Sequence, residues 1–135
     1  MSLFYLDVNP YQKRLRWIRA GHDPAILYDS SKDSFDTLNG DGIALGVNPN
    51  FVYAENVRER IKEGQIIVLG TDGIWETHNK KGEMFGKQRL MEVIRTHADS
   101  SSARHILKSI TDATIDFRQG AKQEDDITLV VIKFI

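Results

Sequence analysis

The chain has 135 residues, of which 41% are hydrophobic and 27% charged, so we expect one globular domain with a core of its own. Lys and Arg number 18 against 19 Asp and Glu, and this balance gives no general attraction to nucleic acid or to an anionic membrane. The absence of cysteine excludes disulfides, thiolate metal sites and catalysis by a cysteine nucleophile.

Targeting and membrane segments are also missing from the sequence pattern. No apolar run approaches the roughly 20 residues of a membrane-spanning helix. The first residues lack the basic-then-apolar layout of a signal peptide. We therefore expect a cytoplasmic protein without membrane insertion and without a nucleic-acid partner.

Short β-strands separated by turns make up the predicted first half of the chain. The run Gln65–Thr71 is almost continuously apolar, which indicates a strand covered on both faces. The segment Phe51–Val57 alternates only weakly. The other predicted strands are Leu3–Val8, Leu15–Ala20, and a hairpin formed by Ala25–Tyr28 and Phe35–Leu38.

Helical spacing replaces strand alternation in the second half. Apolar residues three and four apart predict one helix over Lys87–Thr96 and a second helix that runs to Phe117. Candidate N-caps for the second helix lie at Ser100–Ser102, and Gly120 is a candidate stop. The β-branched segment Ile127–Phe134 then predicts a central strand. This order of elements predicts an α+β layered domain with antiparallel sheet.

Acidic residues stand at the ends of the two most apolar predicted strands. Asp72 follows Gln65–Thr71, and both Asp125 and Asp126 precede Ile127–Phe134. If the two strands are antiparallel neighbours, Asp72 and Asp125 converge at one sheet edge, where a divalent cation would offset their repulsion. Oxygen ligands suit Mg²⁺ or Mn²⁺ rather than zinc. Spacing alone still favours the plainer interpretation of surface turn residues, because Asp is common in turns.

Four segments of the sequence carry a family resemblance. They are LRWIRAGHDPAILYD, ALGV, GQIIVLGTDGIWETHNKKGEMFGKQRL and QEDDITLVVIK. In this order they resemble the markers of the bacterial PPM-type (protein phosphatase 2C-like) serine/threonine phosphatases, in the branch of stage II sporulation protein E and the sigma-factor regulators. Four markers in family order across nearly the whole chain make the resemblance specific.

The resemblance implies a β-sandwich with flanking helices and a two-metal Mg²⁺ or Mn²⁺ centre that activates water to hydrolyse phosphoserine or phosphothreonine. The implied substrate is a bacterial signalling phosphoprotein, such as an anti-sigma-factor antagonist. Asp72 and Asp125 match the metal ligands of the family's Asp-Gly and Asp-Asp motifs, which reverses the preference for turn residues. The implied supporting positions are Gly73, Glu76, Asp126, Thr128 and His22, with a structural role preferred for His22.

One ligand-bearing element of that family has no counterpart in the sequence. The family places Gly-Asp-Val-x-Gly-His-Gly and two covering helices before the strand that corresponds to Leu3–Val8, whereas only Met1 and Ser2 precede it here. We therefore expect residues 1–135 to form a single truncated domain that binds metal weakly and is inactive as a fragment. Exposed sheet edges would favour a homodimer. The alternative function is a non-catalytic, phosphatase-derived interaction or regulatory domain.

Overall fold

The structure, a computed structural model, describes residues 1–100 and 102–135. Strands fill the first half of the described chain, two helices follow, and one strand returns. The elements are β1 (Leu3–Asn9), β2 (Arg14–Ala20), β3 (Ala25–Asp29), β4 (Ser34–Leu38), β5 (Asn56–Arg58), β6 (Gln65–Gly70), α1 (Gly86–His97), α2 (Ala103–Arg118) and β7 (Leu129–Lys133). None of the described helices is long and apolar enough to cross a membrane.

The strands form two antiparallel sheets, a small one in the order β1-β2-β5 and a large one in the order β4-β3-β6-β7. This arrangement confirms the predicted α+β class with antiparallel sheet. The prediction of a central strand over Ile127–Phe134 is wrong, because β7 lies at one side of the large sheet. Its apolar composition instead reflects partial burial on both faces, because Leu129 and Val131 pack against the helix side and Ile132 packs between the sheets, while Val130 is 46% exposed.

Strand β6 is covered on both faces, which explains its nearly continuous apolar sequence. Ile67 points into a core between the two sheets, where it meets Leu15 of β2 and Leu27 of β3. Ile66 and Val68 point into a second core between the large sheet and the helices. The chain therefore has three layers, with the large sheet in the middle.

Several predicted boundaries shift in the structure. Within Phe51–Val57 only Asn56 and Val57 are in a strand, which continues to Arg58, because pairing with β2 rather than local alternation defines β5. Ser102 is the N-cap of α2 but makes no side-chain capping bond, and Ser101 lies outside the described residues. Helix α2 ends before Gln119, which itself adopts the left-handed conformation expected near Gly120.

An ion pair joins the edges of the two sheets. Arg58 Nη1 of β5 lies 2.6 Å from Asp36 Oδ2 of β4. The hydrogen bond from this guanidinium lowers the pKa of Asp36, because it favours the charged carboxylate. The pair thus links β4 of the large sheet to β5, the shortest strand of the small one.

Lys133 of β7 holds the connection between the two helices. Its ammonium group donates hydrogen bonds to the carbonyl oxygens of Ala98 and Ser100, which follow the end of α1. Lys133→Met is expected to lower the free energy of unfolding by about 1–3 kcal/mol, because two half-buried carbonyls lose a charged donor. Urea denaturation measures the difference.

The matched control for this prediction is Lys108→Met. Lys108 pairs with Asp112 one turn along the exposed surface of α2, so its removal is expected to cost less than about 0.5 kcal/mol. Equal costs for the two lysine variants would contradict a tethering role for Lys133.

Candidate functional site

The acidic edge of the large sheet is formed where β6 ends and β7 begins. The two strands are antiparallel neighbours, which meets the condition for convergence of the acidic residues, and their pairing reaches Gly70 opposite Leu129. Beyond the strands, the Thr71 amide donates to the Thr128 carbonyl oxygen at 3.1 Å, and the Thr128 amide donates to Thr71 Oγ1 at 3.1 Å. Thr128 therefore continues the pairing and brings the residues before β7 beside those after β6.

Gly73 allows the two acidic segments to touch. A Cβ atom on residue 73 would lie only 2.5 Å from the carbonyl oxygen of Asp126, a distance that no side chain tolerates. Gly73 is not among the residues with positive φ, so close approach, and not an unusual backbone conformation, is what requires glycine here. Thr71 Oγ1 also donates to the Asp126 carbonyl, at 3.2 Å.

Asp125 lies on the loop that connects α2 to β7, and neighbouring side chains hold that loop. Arg118 Nη1 donates to Gln123 Oε1 at 3.0 Å, and Gln123 Nε2 donates to the Asp125 carbonyl oxygen at 2.9 Å. The Asp125 carboxylate accepts the Asp126 amide at 2.7 Å. Exposed Asp125 and Glu76 both line a small cavity of about 70 Å³.

Asp72 begins a tight turn directly after β6. Its carbonyl oxygen accepts the amide of Glu76 at 2.8 Å, and Thr77 Oγ1 donates to the Gly73 carbonyl at 2.7 Å. The exposed Asp72 side chain lines a separate cavity of about 100 Å³ together with His22 and other residues.

His22 is half-buried on the segment that follows β2. Its Nδ1 lies 2.9 Å from the Asp23 carbonyl oxygen, and its ring meets Phe4 edge-on with 6.2 Å between centroids. Arg19 Nη1 donates to the His22 carbonyl oxygen at 2.9 Å. The imidazole thus packs against Phe4 and lines the same cavity as Asp72, and its structural role stays a prediction.

The carboxylates at this edge are suitable ligands for Mg²⁺ or Mn²⁺, but too few of them lie together to hold an ion. Asp72 and Asp125 line different cavities, although their backbones are brought together. Within residues 1–100 and 102–135, no three His, Cys, Asp or Glu side chains are grouped closely enough to hold a metal ion. The described residues therefore do not contain a complete set of side-chain metal ligands. The ligand roles of Asp72 and Asp125 stay predictions.

A contact between a histidine and a glutamate, which the sequence does not predict, connects the two acidic segments. His78 Nδ1, six residues after Asp72, lies 3.0 Å from Glu124 Oε2, one residue before Asp125. No spacing in the sequence indicates this pair, because 46 residues separate its members. The pair braces the loop that carries Asp125 against the turn that carries Glu76.

Asn79 shapes the loop between α1 and the turn that begins at Asp72. It is 7% exposed, and its Oδ1 accepts the amides of Lys81 and Glu83 while its Nδ2 donates to Glu83 Oε2 at 2.6 Å. The amide of Gly82 donates to the Asn79 carbonyl oxygen at 2.9 Å, which closes a tight turn. The sequence signal was an Asn followed three residues later by Gly, a turn composition.

A lysine at the start of α1 draws that helix towards the segment of His22. Lys87 Nζ lies 2.9 Å from Asp23 Oδ2 and 4.5 Å from the ring centroid of Trp75. The contacts join the start of α1, the turn that contains Trp75, and the segment between β2 and β3 that contains Asp23. Three of the four sequence markers therefore meet around the same sheet edge.

Comparison with known sequences places the chain in a family. It matches the family of stage II sporulation protein E (SpoIIE) over residues 1–135. It is 28% identical over 133 residues to the phosphoserine phosphatase RsbU of Bacillus subtilis, covering 98% of this chain and 38% of that protein. It is 30% identical over 131 residues to the protein IcfG of Synechocystis, covering 97% of this chain and 20% of that protein. The chain thus spans less than two fifths of either relative.

Solved structures share the fold. The SiaA-PP2C domain of Pseudomonas aeruginosa superposes with a TM-score of 0.84 at 20% identity, over 99% of this chain and 52% of that one. The phosphatase domain of SpoIIE from Bacillus subtilis superposes with a TM-score of 0.71 at 16% identity, over 98% of this chain and 56% of that one. Since the sequence match extends over all 135 residues, the chain belongs to the stage II sporulation protein E (SpoIIE) family.

Proposed function

We propose that the chain is part of a metal-dependent protein serine/threonine phosphatase. The observation that carries the proposal is the meeting of the family's acidic markers, at Asp72 and at Asp125, on the edge formed by β6 and β7. Membership of the SpoIIE family and the 28% identity to a phosphoserine phosphatase support it. The metal ions that this function requires offset the negative charge of a phosphate monoester and make water a nucleophile near neutral pH.

The proposed substrate is a phosphoprotein of bacterial signalling, such as an anti-sigma-factor antagonist, in the cytoplasm. A protein substrate fits the exposed position of the acidic edge, because Asp72, Glu76 and Asp125 are all open to solvent. A phosphorylated loop can approach such an edge without entering a deep pocket. Mn²⁺ or Mg²⁺ is the proposed metal, since the side chains at the edge offer carboxylate oxygens.

We further propose that residues 1–135 form a truncated domain, which by itself binds Mn²⁺ weakly and hydrolyses little. The support is the number of ligands, because the described residues contain no group of three metal-binding side chains. Two carboxylates on separate cavities hold a divalent cation less firmly than a complete oxygen cage. Robust Mn²⁺-dependent turnover of a phosphopeptide by the purified 135-residue chain would refute this part of the proposal.

Mn²⁺ titration of variants tests the ligand roles directly. Asp72→Asn and Asp125→Asn are each expected to weaken Mn²⁺ binding by about tenfold or more, because each removes a charged oxygen ligand. Paramagnetic broadening of backbone amide signals near the acidic edge measures the binding even when it is weak. Asp116→Asn, at an exposed position of α2, is the control for loss of one negative charge. Broadening that is the same in all three variants would contradict the assignment.

The second candidate function is a non-catalytic, phosphatase-derived interaction or regulatory domain. The incomplete set of ligands among the described residues is the observation that favours it. The parent gene separates the two candidates. A Gly-Asp-Val-x-Gly-His-Gly motif upstream supports the enzyme, and a parent without that motif supports the interaction domain.

We also propose that the chain forms a homodimer through the free edge of β1. Among the described strands, β1 pairs with β2 alone, and its Leu3 and Tyr5 are 43% and 55% exposed. An edge strand with exposed apolar side chains favours pairing with another chain. Wild-type protein is therefore expected to dimerise in sedimentation velocity runs at high concentration.

Substitution at the strand edge tests this dimer. Tyr5→Lys is expected to shift the population to monomer, because a charged side chain on an edge strand opposes pairing. Tyr11 lies in the turn between β1 and β2 and is 97% exposed, so Tyr11→Lys is expected to leave the dimer unchanged. A strictly monomeric wild-type profile would rule out the dimer.

A further inference from the structure

The loop that carries Asp125 is fastened on both sides of that residue. Two residues before it, the side chain of Gln123 contacts Arg118 at the end of α2. Directly after it, the carbonyl oxygen of Asp126 accepts the hydroxyl of Thr71 at 3.2 Å. The Asp125 side chain therefore leaves the loop between one contact with the helix and one contact with the end of β6.

The side-chain amide of Gln123 links α2 to the backbone of Asp125. Its Oε1 accepts a hydrogen bond from Arg118 Nη1 at 3.0 Å, and its Nε2 donates to the Asp125 carbonyl oxygen at 2.9 Å. A guanidinium can only donate and a carbonyl can only accept. The two partners together therefore fix which end of the amide faces which group.

These two hydrogen bonds contribute little to the stability of the fold. Both lie on an exposed surface, where water can replace either partner. The Arg118 side chain is nevertheless anchored, because its Nε is buried at the end of α2. An exposed amide held by an anchored guanidinium restricts the direction of the loop, so the geometry favours a role in positioning over a role in stability.

The Asp125 carboxylate has one oxygen engaged and one available. Its Oδ1 accepts the amide of Asp126 at 2.7 Å. Within residues 1–100 and 102–135, no hydrogen bond reaches its Oδ2. The direction of the available oxygen depends on the loop backbone, because the other oxygen is tied to the next amide. A metal ion requires its carboxylate oxygens at defined positions, so the direction of this oxygen affects metal affinity.

We propose that Gln123 and Arg118 are positioning residues, which orient the Asp125 carboxylate for a divalent cation. The inference rests on the proposed ligand role of Asp125. Gln123 holds the carbonyl of the residue whose side chain binds the ion, and Arg118 sets the direction of the Gln123 amide. Both act through Asp125 and not on the ion itself, as the hydrogen-bonded neighbours of metal ligands commonly do.

Gln123→Glu gives the sharpest test on the 135-residue chain, because positioning and charge predict opposite results. The variant keeps an oxygen for Arg118 but places a second oxygen, in place of a donor, against the Asp125 carbonyl. We expect Mn²⁺ binding, measured by paramagnetic broadening of backbone amide signals, to weaken by about tenfold. The added negative charge alone would tighten Mn²⁺ binding. Unchanged or tighter binding would overturn the proposal.

Arg118→Met repeats this opposition with a different residue. Removal of a positive charge alone would tighten Mn²⁺ binding, whereas release of the Gln123 amide is expected to weaken it by about tenfold. Arg118→Lys retains a donor and is expected to recover part of the affinity. Arg104→Met, at an exposed position of α2, is the control of equal charge change. If Arg118→Met alters only the urea midpoint and not the Mn²⁺ affinity, its role is structural and the proposal is overturned.

Asp125→Asn separates failure of this inference from failure of the proposed function. If Asp125→Asn leaves Mn²⁺ binding unchanged, the ligand role is wrong and the positioning role is overturned with it. If Asp125→Asn weakens binding while Gln123→Glu and Arg118→Met do not, the positioning role alone is overturned. Weaker binding in all three variants, with Arg104→Met unaffected, is the result that we expect.

Discussion

Replacing Ile67 by alanine is expected to lower the free energy of unfolding by about 2–5 kcal/mol. Ile67 is fully buried in the middle of β6, where it contacts the core between the two sheets. The substitution removes three carbon atoms from a site that strands cover on both sides, so the surrounding structure cannot collapse into the space. Chemical denaturation followed by tryptophan fluorescence measures the loss, because Trp17 lies in the same core.

Ile115→Ala is the matched control for this prediction. Ile115 is 50% exposed on α2, so the same chemical change is expected to cost about 0.5 kcal/mol or less. A comparable loss of unfolding free energy in the two variants would contradict the role of Ile67 as a tightly packed core residue.

Gly73→Ala is expected to act on both stability and the acidic edge. The added methyl group would lie 2.5 Å from the Asp126 carbonyl oxygen, which is backbone and cannot rotate away. We expect a loss of about 1–3 kcal/mol in unfolding free energy, as for overpacking elsewhere, together with displacement of the loop before β7. Changes in the amide chemical shifts of Asp125, Asp126 and Thr128 report that displacement.

Gly82→Ala separates the steric effect from a general cost of losing glycine. Gly82 has φ of +78° and open space around it, so alanine there strains its own backbone without pushing a neighbour. It is expected to leave the amide shifts of Asp125 and Asp126 unchanged. Unmoved shifts at these two residues in Gly73→Ala would contradict the contact that we describe.

Much of the fold follows from local sequence pattern. The continuous apolar run from Gln65 predicted a strand covered on both faces, and the structure confirms it with cores on either side of β6. Helical spacing predicted α1 and α2 within a few residues of their ends. These features depend on periodicity within one segment, which is why a sequence reveals them.

Features that depend on distant pairing were not predictable. Strand β5 exists because three residues pair with β2, and β7 lies at the side of its sheet because no described strand follows beyond it. The charged stretch Arg58–Lys62 is typical of a solvated loop, yet Ile61 within it is buried between the sheets. Composition does not say which single apolar residue of a polar segment turns inward.

The candidate site also has some features that local sequence pattern indicates and others that depend on distant contacts. The expected convergence of acidic residues at the ends of two apolar runs depended on the two strands being antiparallel neighbours, and the structure shows that pairing. The roles of Asp72 and Asp125 as ligands come from family resemblance alone. The contacts of Arg118 and of His78 with the loop before β7 depend on how two loops dock, and no local pattern encodes such docking.

The pairing of β6 with β7 also sets the order in which the acidic edge can form during synthesis. Gly70 and Leu129 are paired neighbours, although two helices lie between them in the sequence. A growing chain completes β6 and both helices while the segment of Asp125 is still inside the ribosome. Domains begin to fold during translation, and long-range strand pairing is slow. The edge formed by β6 and β7 can therefore form only after both helices have been synthesised.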